Sequence, residues 1–366
     1  MKTWKRSGLA MAAAAACGLH TIAAHAGEGF QLRYNIAGSL GGEMFGTPAH
    51  AGIVGAAAVT DININHVAGP DGHELTAALP GGTVPLPAPT PAALYPTYTA
   101  SPVKIRITGT ADQVNVGVGY VTDESYAGGR IAFGVNIPYG YKTQTVDITG
   151  TTPTLQFNPL IPAATQSAVQ GAFGAGYQNS LSQQSTGETG VTQALGDIDL
   201  QVGWGYVTEK FRMLTGASLV LPTGDYAPNV PSIGFGKFYT LRPSIQAVYL
   251  PVPEVALAGK VTVGLNTRNS DNHLRSGDWL GLELAAGYRT PVGPVGLHTV
   301  YVQQYQADSG NSLGQSRLSE TNIGAFFTTK APLIDGASLT LQYMETVDAR
   351  NARSGRFIQA RVLKLF

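Results

Sequence analysis

The sequence predicts an all-β chain: a transmembrane antiparallel β-barrel of the bacterial outer membrane, with about twelve strands, long extracellular loops and short periplasmic turns. Three observations carry this. Segments of roughly ten residues alternate apolar and polar side chains. The connections between them alternate short and long. The final stretch, GRFIQARVLKLF, keeps a strand pattern to its last residue: Ile358, Ala360 and Val362 share a parity with Phe366, while Gln359 and Arg361 take the other. A strand in lipid needs such an apolar outer face and a paired neighbour on each side, because the bilayer offers its backbone no water. A large soluble β-sandwich is the alternative, and it explains neither the loop alternation nor the terminal aromatic.

The N-terminus sets the compartment. Lys2, Lys5 and Arg6 precede the apolar GLAMAAAAACGLHTIAA, and Ala24-His25-Ala26 fits a small-x-small cleavage site. This reads as a secretory signal peptide cleaved after Ala26; a lipoprotein site at Cys17 is the rival. Cleavage removes Cys17, the only cysteine, so no disulfide, thiol nucleophile or cysteine metal site remains. Three cations leave as well, so 23 basic residues become 20 against 23 acidic ones. That balance does not suit a nucleic-acid binder. Forty-six glycines and only 13% charged residues suit a barrel that is apolar outside and polar inside.

Residues 27–50, Gly-rich and without alternation, precede the first strand as a periplasmic segment, either a disordered tail or a hatch folded into the lumen. The barrel proper is expected over 51–366. Early strands fall near 51–64, 102–122 and 130–148, and the second shifts parity around GTADQ, which suggests a β-bulge. The Pro-rich PGGTVPLPAPTPAALYP cannot be a central strand and reads as a loop. In GDIDLQVGWGY, Ile198, Leu200, Val202, Trp204 and Tyr206 share one face, opposite Asp197, Asp199 and Gln201. TLRPSIQAVYL, VALAGKVTVGL, WLGLELAAGY, TNIGAFFTT and ASLTLQYM alternate likewise; FRMLTGASLVL is weaker and GLHTVYVQQY ambiguous. Short connections fall near 123–129, 207–210, 250–253, 290–295 and 330–335; long ones near 65–101, 149–194, 222–237, 267–278, 307–317 and 348–354. Tyr139, Tyr141, Tyr206, Tyr249, Tyr288 and Phe366 are expected to form one interfacial girdle at the short-turn end.

Chemistry is sparse. After cleavage the histidines are His50, His66, His73, His273 and His298, and no two share a helical i, i+4 spacing. The glycine-rich GAFGAG and GFGKF do not open a helix after a strand, so neither reads as a phosphate loop. No catalytic constellation, metal site or cofactor motif is recognised, and the chain reads as a non-enzyme. Asp197, Asp199, Arg242, Lys260, Glu283 and Arg361 take the inward parity. They either cross-pair to satisfy one another or line a solute path. LPTGDYAPN reads as a strand-end turn, in which Pro222 fixes φ and Gly224 allows a positive one.

LGDIDLQVGWGY, LPTGDYAPN, FYTLRPSIQAVYL, SGDWLGLELAAGY and the closing strand ending in Phe366 together resemble one family. It is the outer-membrane barrels labelled for the MetA pathway of phenol degradation. The likeness covers 190–366 closely and 27–150 more loosely. It transfers Gly196-Asp197 and Pro222-Thr223-Gly224-Asp225-Tyr226 as family-like positions and brings no catalytic residues. This chain departs in the Pro-rich stretch near 80–97, in the long loop 149–194, and at Lys364, where an outward apolar residue is usual. The resemblance implies passive uptake of aromatic or other hydrophobic compounds. Tyr95, Tyr98, Phe235 and Phe238 are the expected loop residues for capture, and assembly is expected to engage the barrel assembly machinery through the strand ending in Phe366. A non-transporting adhesin and a general polar porin are the alternatives.

Overall fold

A computed structural model describes residues 27–45, 51–227, 230–310 and 317–366. The expected signal peptide, Cys17 and Ala26, and residues 46–50 of the N-terminal segment lie outside them. Twelve antiparallel strands close into a barrel. They are β1 (Gly52–Val67), β2 (Ser101–Tyr126), β3 (Gly129–Gly150), β4 (Asp199–Val207), β5 (Phe211–Val220) and β6 (Thr240–Val252). There follow β7 (Val255–Asn266), β8 (Trp279–Thr290), β9 (Gly293–Gln304), β10 (Ser319–Lys330), β11 (Ala337–Arg350) and β12 (Arg353–Leu365). Each pairs with its sequence neighbours, and β1 closes on β12 from Val54↔Leu365 to Val67↔Arg353. Closure leaves no free edge within the membrane.

Alternation sets the two faces. Val114, Val116, Val118 and Tyr120 of β2 are exposed on the outside, as are Leu280 and Leu284 of β8 and Leu341 and Tyr343 of β11. Facing the lumen are Gln113 and Asn115 of β2, Glu283 of β8 and Gln342 of β11. The pairing also settles the parity of β9: His298, Val300 and Val302 face inward beside Ala285, Glu283 and Gly281.

One end carries tight connections, such as Ala127–Gly128 and Val292, and the other carries the long loops; by this asymmetry the tight end is periplasmic. The connection expected to be long near 348–354 is instead tight, since β11 ends at Arg350 and β12 begins at Arg353. Tyr206, Tyr249 and Tyr288 do sit near the periplasmic turns. Tyr139 and Tyr141 do not: β3 leaves its turn at Gly129, so these two lie at the extracellular boundary. Lys364 faces outward near the periplasmic rim with its ammonium 4.8 Å from the Phe366 ring, an amphipathic arrangement suited to an interface.

The strands β2 and β3 have 26 and 22 residues, roughly twice the ten or so a tilted membrane strand needs. Their upper halves therefore project beyond the bilayer. No bulge occurs at GTADQ, for the register with β3 runs unbroken from Val103↔Gly150 to Val121↔Ala132. What changes there is the solvent outside the sheet. Below, apolar residues face lipid; above, the inward Val103, Ile105, Ile107, Val146 and Ile148 build a water-excluding core. That core is completed by a helix, α1 (Ala163–Glu188), in what was expected to be a loop. Val169, Phe173, Tyr177 and Leu181 recur every fourth residue and bury along one stripe. Side chains of α1 also satisfy the upper backbone edge of β3: Ser185 Oγ accepts from Ile148 N–H, and Gln178 donates to the Gly150 carbonyl.

Candidate functional site: the lumen

Residues 29–45 run through the barrel interior. Near the extracellular mouth, Arg353 donates to the Gly29 carbonyl. At the periplasmic end, Arg212 and Arg289 donate to the carbonyls of Met44 and Phe45. Glycine permits the close fit at two points. Gly38 turns the chain at φ +80° against His298, and Gly42 approaches β10 so closely that its N–H donates to Thr328 Oγ1 at 3.1 Å.

Four ion pairs involve the expected inward residues. Arg242 pairs with Asp199, and Lys260 with Glu283 at 3.4 Å. The other two join wall to segment: Arg33 to Asp197 at 2.8 Å and Glu43 to Arg361 at 3.0 Å. Glu283 is the central anchor. It accepts from Tyr34 Oη and from the N–H and hydroxyl of Ser39, whose hydroxyl in turn accepts from Lys260. Gln342 and Asn322 hold the Leu40 and Ile36 carbonyls. Asp197 precedes β4 rather than lying in it, and also accepts from the N–H groups of Gly224 and Phe235, so the family-like turn and the ion pair form one unit.

The contacts to the segment come from Asp197, just before β4, and from β5–β12. Across from them, a cavity of about 750 Å³ lies between the segment and the wall of β1–β6. Its wall is built from small inward residues, among them Ala56, Ala58, Gly117, Gly134, Gly203 and Ala111, with amides at Gln113, Asn115, Asn136 and Gln201. A Cβ at Gly117 or Gly134 would meet neighbours no nearer than 3.5 or 3.6 Å, which is ordinary contact. Neither position needs glycine for its backbone, and glycine costs a strand stability. The side chains are missing where the space is.

The four expected capture residues are dispersed. Tyr95 and Tyr98 pack against the extracellular core, Tyr98 with its ring centroid 4.9 Å from that of Phe173. Phe238 is buried beneath the Arg33 guanidinium, 3.9 Å from ring centroid to Cζ. Phe235 alone among them lines the cavity. Alternation revealed the wall charges but missed Arg33, Tyr34, Ser39 and Glu43. Their only sequence signal is charge and hydroxyl chemistry in a segment with no period. Among the described residues no group of three or more His, Cys, Asp or Glu could hold a metal, and no helix is long and apolar enough to cross a membrane.

Comparison with one solved structure supports this architecture. The COG4313 outer membrane channel from Pseudomonas putida F1 superposes with a TM-score of 0.59 at 12% identity, over 92% of this chain and 100% of that one. The β domain of the Bordetella autotransporter BrkA gives 0.45 at 12% identity over 86% and 99%, and the CymD monoaromatic hydrocarbon channel 0.37 at 10% over 95% and 99%. No curated protein matches the chain in sequence. Residues 97–362, the greater part of the chain, match a family described as "Putative MetA-pathway of phenol degradation". The chain belongs to that family, and its fold is that of an outer-membrane β-barrel.

Proposed function

We propose that the protein is a passive outer-membrane channel for aromatic and other hydrophobic compounds. The observation that carries this reading is the cavity beside the N-terminal segment, walled by glycines and alanines where side chains would fit. Two names point the same way: the family's, which refers to phenol degradation, and that of one barrel of similar architecture, an outer membrane channel. In this reading solute descends along the β1–β6 wall, and residues 29–45 narrow the lumen to that path. Asp199 and Arg242 line it. Residues 1–26 act as the export signal, and the strand ending in Phe366 engages the barrel assembly machinery. The mechanism needs no catalytic group.

The test is solute entry into liposomes holding the refolded protein, corrected for bare lipid. Phenol or toluene entering faster than a small sugar is the expected result. Faster sugar entry would make it a general polar pore. The extracellular unit around α1 favours a second reading, a surface barrel whose loops bind partners. Absence of protein-dependent flux from a folded barrel would move the assignment there. Deleting residues 27–45 tests the role of the segment: permeability should rise, and an unchanged value would remove it from the mechanism.

A further inference from the structure

A second, smaller cavity of about 90 Å³ lies at the extracellular end of the lumen, between β3, the end of α1 and the start of β12. Lys142 of β3 faces it and is only 6% exposed. Among the described residues its single hydrogen bond is a long one, 3.5 Å to the Ser232 carbonyl. Arg353 of β12 lines the same cavity and donates to the Gly29 carbonyl. Among the described residues, neither cation has a carboxylate within ion-pairing distance. Burying a cation without a counter-charge costs several kcal/mol. For Arg353 the buried Glu320 offsets part of that cost, and for Lys142 burial and the neighbouring Arg353 favour the neutral amine; a carboxylate entering the cavity would offset the rest and hold Lys142 charged. Phe30, Ile107 and Phe235 supply apolar wall, and the volume holds several waters.

We propose that this cavity binds the carboxylate of a small organic acid, held by Lys142 and Arg353, with its hydrocarbon part against Phe30, Ile107 and Phe235. The charged and titratable groups facing it are Lys142, Arg353, Tyr226 and Glu188, with Glu320 acting on Arg353 from β10. Glu320 already acts on Arg353, and Glu188 is the carboxyl lining the cavity that would oppose an anion. Burial pushes its carboxyl up to about 7, so at mildly acid pH it is neutral and does not compete for Lys142. The proposal concerns binding alone and stands whether or not the site lies on a transport path.

Calorimetric titration of the full refolded barrel in detergent at about pH 6 decides it, with benzoate against the neutral benzyl alcohol. Benzoate should bind at least about tenfold tighter, the effect of charge-assisted hydrogen bonds. Lys142→Gln should lose about that factor for benzoate and leave benzyl alcohol unchanged, while Lys142→Arg should retain benzoate. Equal affinity for the two probes, no benzoate binding, or an unaffected Lys142→Gln protein would overturn the proposal, as would inorganic phosphate binding tighter than benzoate. The wild-type comparison decides the matter even if Lys142→Gln does not fold.

Discussion

Arg33 shows how one side chain holds the lumen together. Its guanidinium donates to the Asp197 carboxylate and the Gly236 carbonyl and lies on the Phe238 ring, with both ionic side chains almost fully buried. Removing one partner strands the other charge. Arg33→Met should therefore cost the seated state of the segment about 3–5 kcal/mol. The expected outcome is larger single-channel conductance and faster amide exchange over residues 33–45; unchanged conductance would show that the segment stays seated without this pair. Replacing Arg33 with Met and Asp197 with Asn together should be milder than the single change, since no charge is left unpaired and the amide oxygen still accepts from the Gly224 and Phe235 N–H groups. The inward direction of Asp199, Arg242, Lys260, Glu283 and Arg361 was legible from a two-residue period. The partners of Asp197 and Arg361 were not, because Arg33 and Glu43 lie in a segment whose position is set by tertiary contacts and not by a repeat.

At the scale of elements, the membrane boundary is written in β2 and β3 as an exchange of apolar faces. The sequence shows the exchange plainly, Val114, Val116 and Val118 against Val103, Ile105 and Ile107. A bulge and a change of solvent leave the same trace in the pattern, and only register separates them. The helix α1 was legible too, in the four-residue spacing of Val169, Phe173, Tyr177 and Leu181, but a narrow stripe amid Gln, Ser and Gly reads as a polar loop. Because that stripe supports the extracellular core, Phe173→Ala should destabilise this unit by about 3–5 kcal/mol. Limited proteolysis should then cut within 151–189 while the barrel keeps its heat-modifiable gel mobility; equal resistance to wild type would show that α1 is not held by this stripe. Glu188 gives the unit a pH dependence. Its carboxyl is raised to about 7 by burial, so the neutral form is favoured in the fold. The cost of ionising it is absent below the ordinary carboxylate range, grows as pH rises, and is complete above about 7. Glu188→Gln should therefore slow amide exchange at the end of α1 at about pH 8 and leave it unchanged at about pH 4. An equal effect at both would exclude titration as the cause.

Across the whole molecule, the barrel is filled asymmetrically. The wall of β7–β12 presents Glu283, His298, Val300, Phe326, Met344 and Phe357 to the segment, and the wall of β1–β6 presents glycines, alanines and amides to empty space. Strand number, closure and the inside-outside division follow from alternation and turn spacing. The off-centre lumen does not, because it depends on which wall the aperiodic segment leans against. Gly134 lies on the open wall with room for a side chain. The most direct test of the channel is the rate of phenol entry into liposomes carrying wild-type or Gly134→Trp protein, each shown to be folded and corrected for bare lipid. A path along this wall predicts that the tryptophan brings the protein-dependent rate close to zero. A rate equal to wild type would contradict it and place any permeation elsewhere in the barrel.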